Sequence, residues 1–172
     1  MFRAHELKYV AWQNRAFRFY IAARVLYRGG LFAPAAHSAV LSLELLLKAT
    51  LVYWVRSFNP QDIGHAIAKM CRMVRNKVPS AKHAAVPTYF YAQQRYLTLS
   101  RYPSGGRGLA LPASFLQDLD ASFAEFITLV PFHHNTELGR ALAGKNASMH
   151  KALRVRNRQF QILAAHLRVQ VQ

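Results

Sequence analysis

The stretch that most constrains this chain is Ala35 to Val55, AAHSAVLSLELLLKATLVYWV, an apolar run of 21 residues with a carboxylate and an ammonium inside it. Glu44 and Lys48 stand four positions apart, acid first, an order that supports a helix and lets each charge partly neutralise the other. The length would also serve a membrane span. Each charged residue near the centre of such a span costs roughly 2.5–3.5 kcal/mol, however, so the pair argues for a buried helix of a water-borne bundle. Ala36, Val40, Leu43, Leu47, Thr50 and Trp54 repeat at helical spacing on one face, and His37, Leu41, Glu44, Lys48 and Val52 form a second. A helix that is apolar nearly all round belongs in the middle of a bundle. The charged pair then faces a neighbouring helix, a partner chain or a cleft.

The flanking segments read as further helices, with no convincing strand. A first helix is expected from about His5 to Tyr27, stopped by Gly29-Gly30, and Pro34 opens the second. Asn59 and Pro60 read as N-cap and first residue of a third helix reaching Val78. Pro87 begins an aromatic-rich fourth segment, and the stretch from Pro103 to Gly108 reads as a loop. Pro112 starts a fifth, acidic helix with Asp118, Asp120 and Glu125. A final basic helix is expected from about Ala147 to Val169. The fold class is therefore all-α, an antiparallel bundle over residues 5–132, with a linker and basic helical extension over 133–172.

Charge points outward to a partner. Lys and Arg number 23 against seven Asp and Glu, a formal charge of +16. Residues 109–132 hold no basic residue and three acidic ones, so one acidic helix sits within a basic body. This surplus favours a polyanion or an anionic surface and says nothing about fold. Arg72, Arg75 and Lys77 near the third helix's end, with Lys82 continuing the same basic run, and Lys151, Arg154 and Arg158 on one face of the last helix, are the candidate nucleic-acid contacts. Cations at helix ends are also favoured by the helix dipole alone. The single Cys71 excludes an intrachain disulfide framework, and the charge-broken N-terminus lacks a secretory h-region, so a cytoplasmic location is expected.

The order of Tyr20-Ile-Ala-Ala-Arg-Val-Leu26, the central run, Gly64-His65-Ala-Ile-Ala-Lys-Met70 and Arg101-Tyr102-Pro103 resembles the HEPN family of small helical domains associated with nucleotides and RNA. The matching residues are Ala35, Ser42, Glu44, Leu47, Lys48, Ala49, Gly64 and His65, and the resemblance spans about residues 15 to 130. It implies a helical bundle that commonly dimerises. It also implies a non-catalytic nucleotide- or RNA-associated interaction module, with a separate nucleotidyltransferase as a possible partner protein. HEPN ribonucleases carry an Arg, four to six residues, then His; this chain lacks that motif. Its nearest pair, Arg158 and His166, would lie about 80° apart round one helix at 100° per residue. A divergent, toxin-like endoribonuclease built on that pair and a purely structural helical dimer are the competing readings.

Glu44, Lys48, His65 and Arg101 form the candidate polar cluster or ligand site. His65 follows Gly64, where an imidazole can either contact a ligand or phosphate, or pin two helices together as a buried histidine. A buried carboxylate needs a partner, and Lys48, His65 and Arg101 are those available to Glu44. The remaining motifs are weak. Gly105-Gly106-Arg107-Gly108 lacks a phosphate-loop signature, and His133-His134 with His150 lacks metal-ligand spacing. Neither a metal site nor a cofactor is expected.

Overall fold

The computed structural model describes residues 4–92, 111–132 and 136–169, with side chains described from residue 8 to residue 165. The described residues are helical with no strand, which makes the fold all-α. Among the described residues, apart from the helical residues 88–92, seven helices follow in chain order: α1 (Ala4–Arg28), α2 (Phe32–Trp54), α3 (Ile67–Lys77), α4 (Phe115–Ile127), α5 (Glu137–Leu142), α6 (Ala147–Arg154) and α7 (Phe160–Val169). A short 3-10 turn, Pro79–Ala81, follows α3.

Helices α1 and α2 make the central hairpin. The chain reverses where Leu31 N–H donates to the Leu26 carbonyl and Gly30 N–H to the Tyr27 carbonyl, a paired closure that requires the left-handed φ of +78° found at Gly30. The helices then run against each other. Tyr27 meets Phe32 near the turn, the Ser42 hydroxyl donates to the Ala16 carbonyl at 2.9 Å midway, and Tyr9 meets Tyr53 at the far end. Small side chains at Ala16, Ala23, Ala35, Ala36 and Ala39, all fully buried, leave room for this approach.

α2 is the one described helix long and apolar enough to cross a membrane by length and composition, and most of its residues are buried inside the bundle. Its core partners are Phe17 and Tyr20 of α1, Met70 and Val74 of α3, and Phe115, Leu119, Phe123 and Phe126 of α4. Each such side chain contributes about 1.5–3 kcal/mol on burial. Tyr20 stacks on Phe123 with ring centroids 3.9 Å apart. Leu138, Leu142, Leu153 and Leu163 enter the same core, so α5, α6 and α7 pack onto the bundle.

Two expected helices differ. Residues 56–65 form turns, and the third helix begins only at Ile67. Asn59 spends its side chain locally, accepting from Gln61 N–H and donating to Asp62, and so closes a turn instead of capping a helix. The expected final helix is two helices separated by residues 155–159, with Arg156 at φ +53°. No glycine or proline marks that break. It is held by α1: Arg24 donates to the carbonyls of Ala152 at 3.1 Å and Val155 at 2.6 Å, and the Asn157 amide donates to the Tyr20 hydroxyl at 2.9 Å. Of the aromatic fourth segment, residues 88–92 are helical and the rest lies outside the described residues.

Arg24 also forms an ion pair with both carboxylate oxygens of Asp120, and Tyr20 donates to Asp120 at 2.7 Å. Arg24, Tyr20 and Asp120 are all buried. Removing one partner of such a pair leaves an uncompensated internal charge, so Asp120→Ala should lower stability by about 3–5 kcal/mol in denaturant unfolding. Burial holds the Tyr20 hydroxyl well above its ordinary range, with the Asp120 carboxylate adding to the effect. In the unfolded chain a tyrosine ionises near pH 10, whereas Tyr20 keeps its proton when folded. Its contribution is thus whole below pH 10 and declines above it, by about 1.4 kcal/mol per pH unit. Tyr20→Phe should flatten that alkaline decline by one such increment, read from unfolding curves at pH 9, 10 and 11.

Candidate functional site

Helical spacing brings Glu44 and Lys48 together on α2, and α1 covers them. The Lys48 ammonium donates to Glu44 Oε1 at 2.9 Å and lies 5.6 Å from the Trp12 ring centroid. Both side chains are more than nine-tenths buried. The second carboxylate oxygen, Oε2, is 2.9 Å from His65 Nδ1. His65 is placed there by the turn before α3, where Gly64 adopts φ +57°, a conformation that L side chains rarely take. Three of the four candidate cluster residues therefore meet. Arg101 lies outside the described residues.

His65 is not the buried pin expected of a core histidine. Its side chain is 75% exposed, with one ring nitrogen turned inward to Glu44. The cluster forms one end of an open groove of about 710 Å³ between α1 and α2. Trp12, Phe19, Ala22, Leu41 and Leu45 line it with apolar surface, and Arg15 and Arg18 stand beside it. Arg18 is already committed, with its guanidinium gripping Glu137 through Nε at 2.9 and 2.8 Å. That pair ties α1 to the start of α5.

A second concavity lies on α3. Arg72, Arg75 and Asn76, with Pro79 and Lys82, surround a cleft of about 510 Å³. The three cations are exposed, and among the described residues no carboxylate lines the cleft. Lys77 is exposed on the same helix end but outside the lining. A helix C-terminus carries about half a negative charge, which cannot by itself account for three cations converging there. The sequence points to Arg72, Arg75 and Lys82 through their position; Asn76 lies on α3 beside Arg75, and the turn at Val78-Pro79 brings Lys82 round to the cleft.

The other expected basic face does not form as one face. Lys151 and Arg154 are exposed on α6, whereas Arg158 stands in the turn beyond it. The same turn separates Arg158 from His166 on α7, so the two are not on a common helix. Cys71 is buried against the core, and burial pushes its thiol above the ordinary range. Among the described residues no group of three His, Cys, Asp or Glu could hold a metal ion.

The residues that sequence reasoning missed are Arg24, Asp120, Tyr20 and Asn157, which come together across more than a hundred residues of chain. The only local signal was an arginine on the apolar face of a helix. No protein-family model, curated protein or solved structure matches the chain.

Substitutions separate the roles in the Glu44 cluster. Glu44→Ala strands a buried ammonium and should cost about 3–5 kcal/mol, while Glu44→Leu with Lys48→Met should recover most of that loss. His65→Ala, at an exposed side chain, should stay within about 0.5 kcal/mol. Thermal melts of the four proteins check the order.

Proposed function

We propose that this chain is a non-catalytic, nucleotide- or RNA-associated helical module that engages phosphate through the cleft at the end of α3. The observation that carries the reading is the convergence of Arg72, Arg75 and Lys82 on one cleft with no lining carboxylate among the described residues. Guanidinium groups suit phosphate because their planar donor fork matches two phosphate oxygens, and Asn76 adds a neutral donor. The basic surplus of the chain supplies long-range attraction to a polyanion, with exposed Lys151, Arg154 and Arg158 adding to it. The HEPN resemblance supports the same class, as does its implied partnership with a nucleotidyltransferase or a second copy. No Arg-x4-6-His motif is present, and the Arg158–His166 pair is split by a turn, which favours binding without cleavage.

Single-stranded RNA affinity should fall with salt by about 0.7 logarithmic units per decade for each phosphate contact, hence about two for three contacts. Arg72→Gln, Arg75→Gln and Lys82→Gln together should remove most of that slope while leaving the melting curve unchanged. Filter binding across a salt series measures it, and the same reactions run on gels should show intact RNA. Salt-insensitive binding, or a slope unchanged by the triple variant, refutes the cleft assignment. Cleavage abolished by His166→Ala replaces it with the endoribonuclease reading.

A further inference from the structure

We propose that the α1/α2 groove is a second, independent site that takes a small aromatic monoanion, a flat ring system bearing one carboxylate, sulfonate or phosphate. At about 710 Å³ the groove falls within the 300–1,000 Å³ of small-molecule sites, and like them it combines apolar walls with a few convergent polar groups. Trp12, Phe19 and Leu41 are half-buried; Trp12 and Phe19 pack one side against the core and leave part of their surface to line the groove. Aromatic walls favour a flat ring, which gains by offset or edge contact beyond its simple burial.

The polar end sets the sign of the ligand. Both Glu44 oxygens are taken, one by Lys48 and one by His65, each at 2.9 Å. An ammonium has three donors and Glu44 uses one. The imidazole turns Nδ1 to Glu44, and its second nitrogen accepts while the ring is neutral and donates only when it is protonated; the ring is largely exposed. Arg15 is exposed and makes no ion pair among the described residues. Arg18 is spent on Glu137. What the groove offers is therefore the spare donors of Lys48 and the positive charge of Arg15, with each oxygen of its one described carboxylate already facing a partner. An anion is complementary and an amine is not. A single charge suffices, since Lys48 is paired with Glu44 and, among the described residues lining the groove, Arg15 is the guanidinium without an ion pair. A second copy of this chain is disfavoured as occupant, because each copy would bring the same positive rim to the other. None of these residues lines the α3 cleft, so the outcome does not depend on the RNA reading.

The probe is 1-naphthoate, with 1-naphthylmethylamine as its cationic match. Calorimetry gives affinity, and the Trp12 indole N–H signal, distinguished with Trp54→Phe, gives location. Naphthoate should shift that signal and bind about tenfold more tightly than the amine, the difference of one charge-assisted hydrogen bond. Arg15→Gln should weaken it several-fold, and Leu41→Trp, which fills the groove from a half-buried position, should abolish it. Both variants should melt like the parent. Absence of naphthoate binding, equal binding of the amine, or affinity surviving Leu41→Trp overturns the proposal. So does a Trp12 signal that moves with protein concentration alone and stops doing so in Leu41→Trp, which would assign the groove to a second copy.

Discussion

The Arg24–Asp120 pair holds this bundle in register. A guanidinium and a carboxylate, both removed from water, are costly unless every donor and acceptor is used. Here α1 supplies the cation and the Tyr20 hydroxyl, α4 the anion, and the end of α6 with the turn after it two carbonyls and an amide. Any slip of one helix against another breaks several of these bonds at once, whereas leucines and phenylalanines would tolerate a slip of a turn. Apolar burial supplies the driving force; the polar knot limits which packing can use it. The break between α6 and α7 follows from the same knot, because Arg24 satisfies carbonyls that a continuing helix would have kept for itself.

The second buried pair has a different setting. Glu44 and Lys48 belong to one helix, so their geometry is set locally and asks nothing of the tertiary fold. What the fold adds is a cover of Trp12 on one side and His65 on the other, and that cover is incomplete. A sealed pair and a pair at the end of a groove have similar internal chemistry, but only the second can exchange a hydrogen bond with something arriving from solution.

This contrast also explains what the residue pattern could and could not reveal. The α1/α2 hairpin was legible because its signals are local: helical periodicity from Ala36 to Trp54, the Gly29-Gly30 stop and a four-residue acid–base spacing. The meeting of Glu44 with Lys48 follows from that spacing alone. The start of α3 was misplaced because Asn59-Pro60 carries the same residues in a turn as in a helix cap, and the choice depends on where the Asn59 side chain finds its partners. The stop after α6 was invisible in Leu153-Arg154-Val155-Arg156, since the groups that enforce it are Arg24 and Tyr20, more than 120 residues upstream. Arg24 itself looked like one more contributor to the basic surplus. Position on the apolar face of α1 was the sign that it belonged inside.

Where the carboxylates go decides how the remaining charge acts. Of the seven acidic residues, Glu44 and Asp120 are buried on internal cations, and Glu137 is held by Arg18. Asp118 takes hydrogen bonds from Tyr89 and Ser114, and Asp62 from Asn59. Few carboxylates are left to pair with surface lysines and arginines, so the outer charge is more uniformly positive than the composition suggests. Such a surface repels itself, and the repulsion weakens as salt shortens the Debye length from about 30 Å at 0.01 M to about 8 Å at 0.15 M. A bound polyanion would relieve it without salt. Each acid drawn inward takes a cation with it, so the net charge outside is unchanged while its sign becomes more uniform.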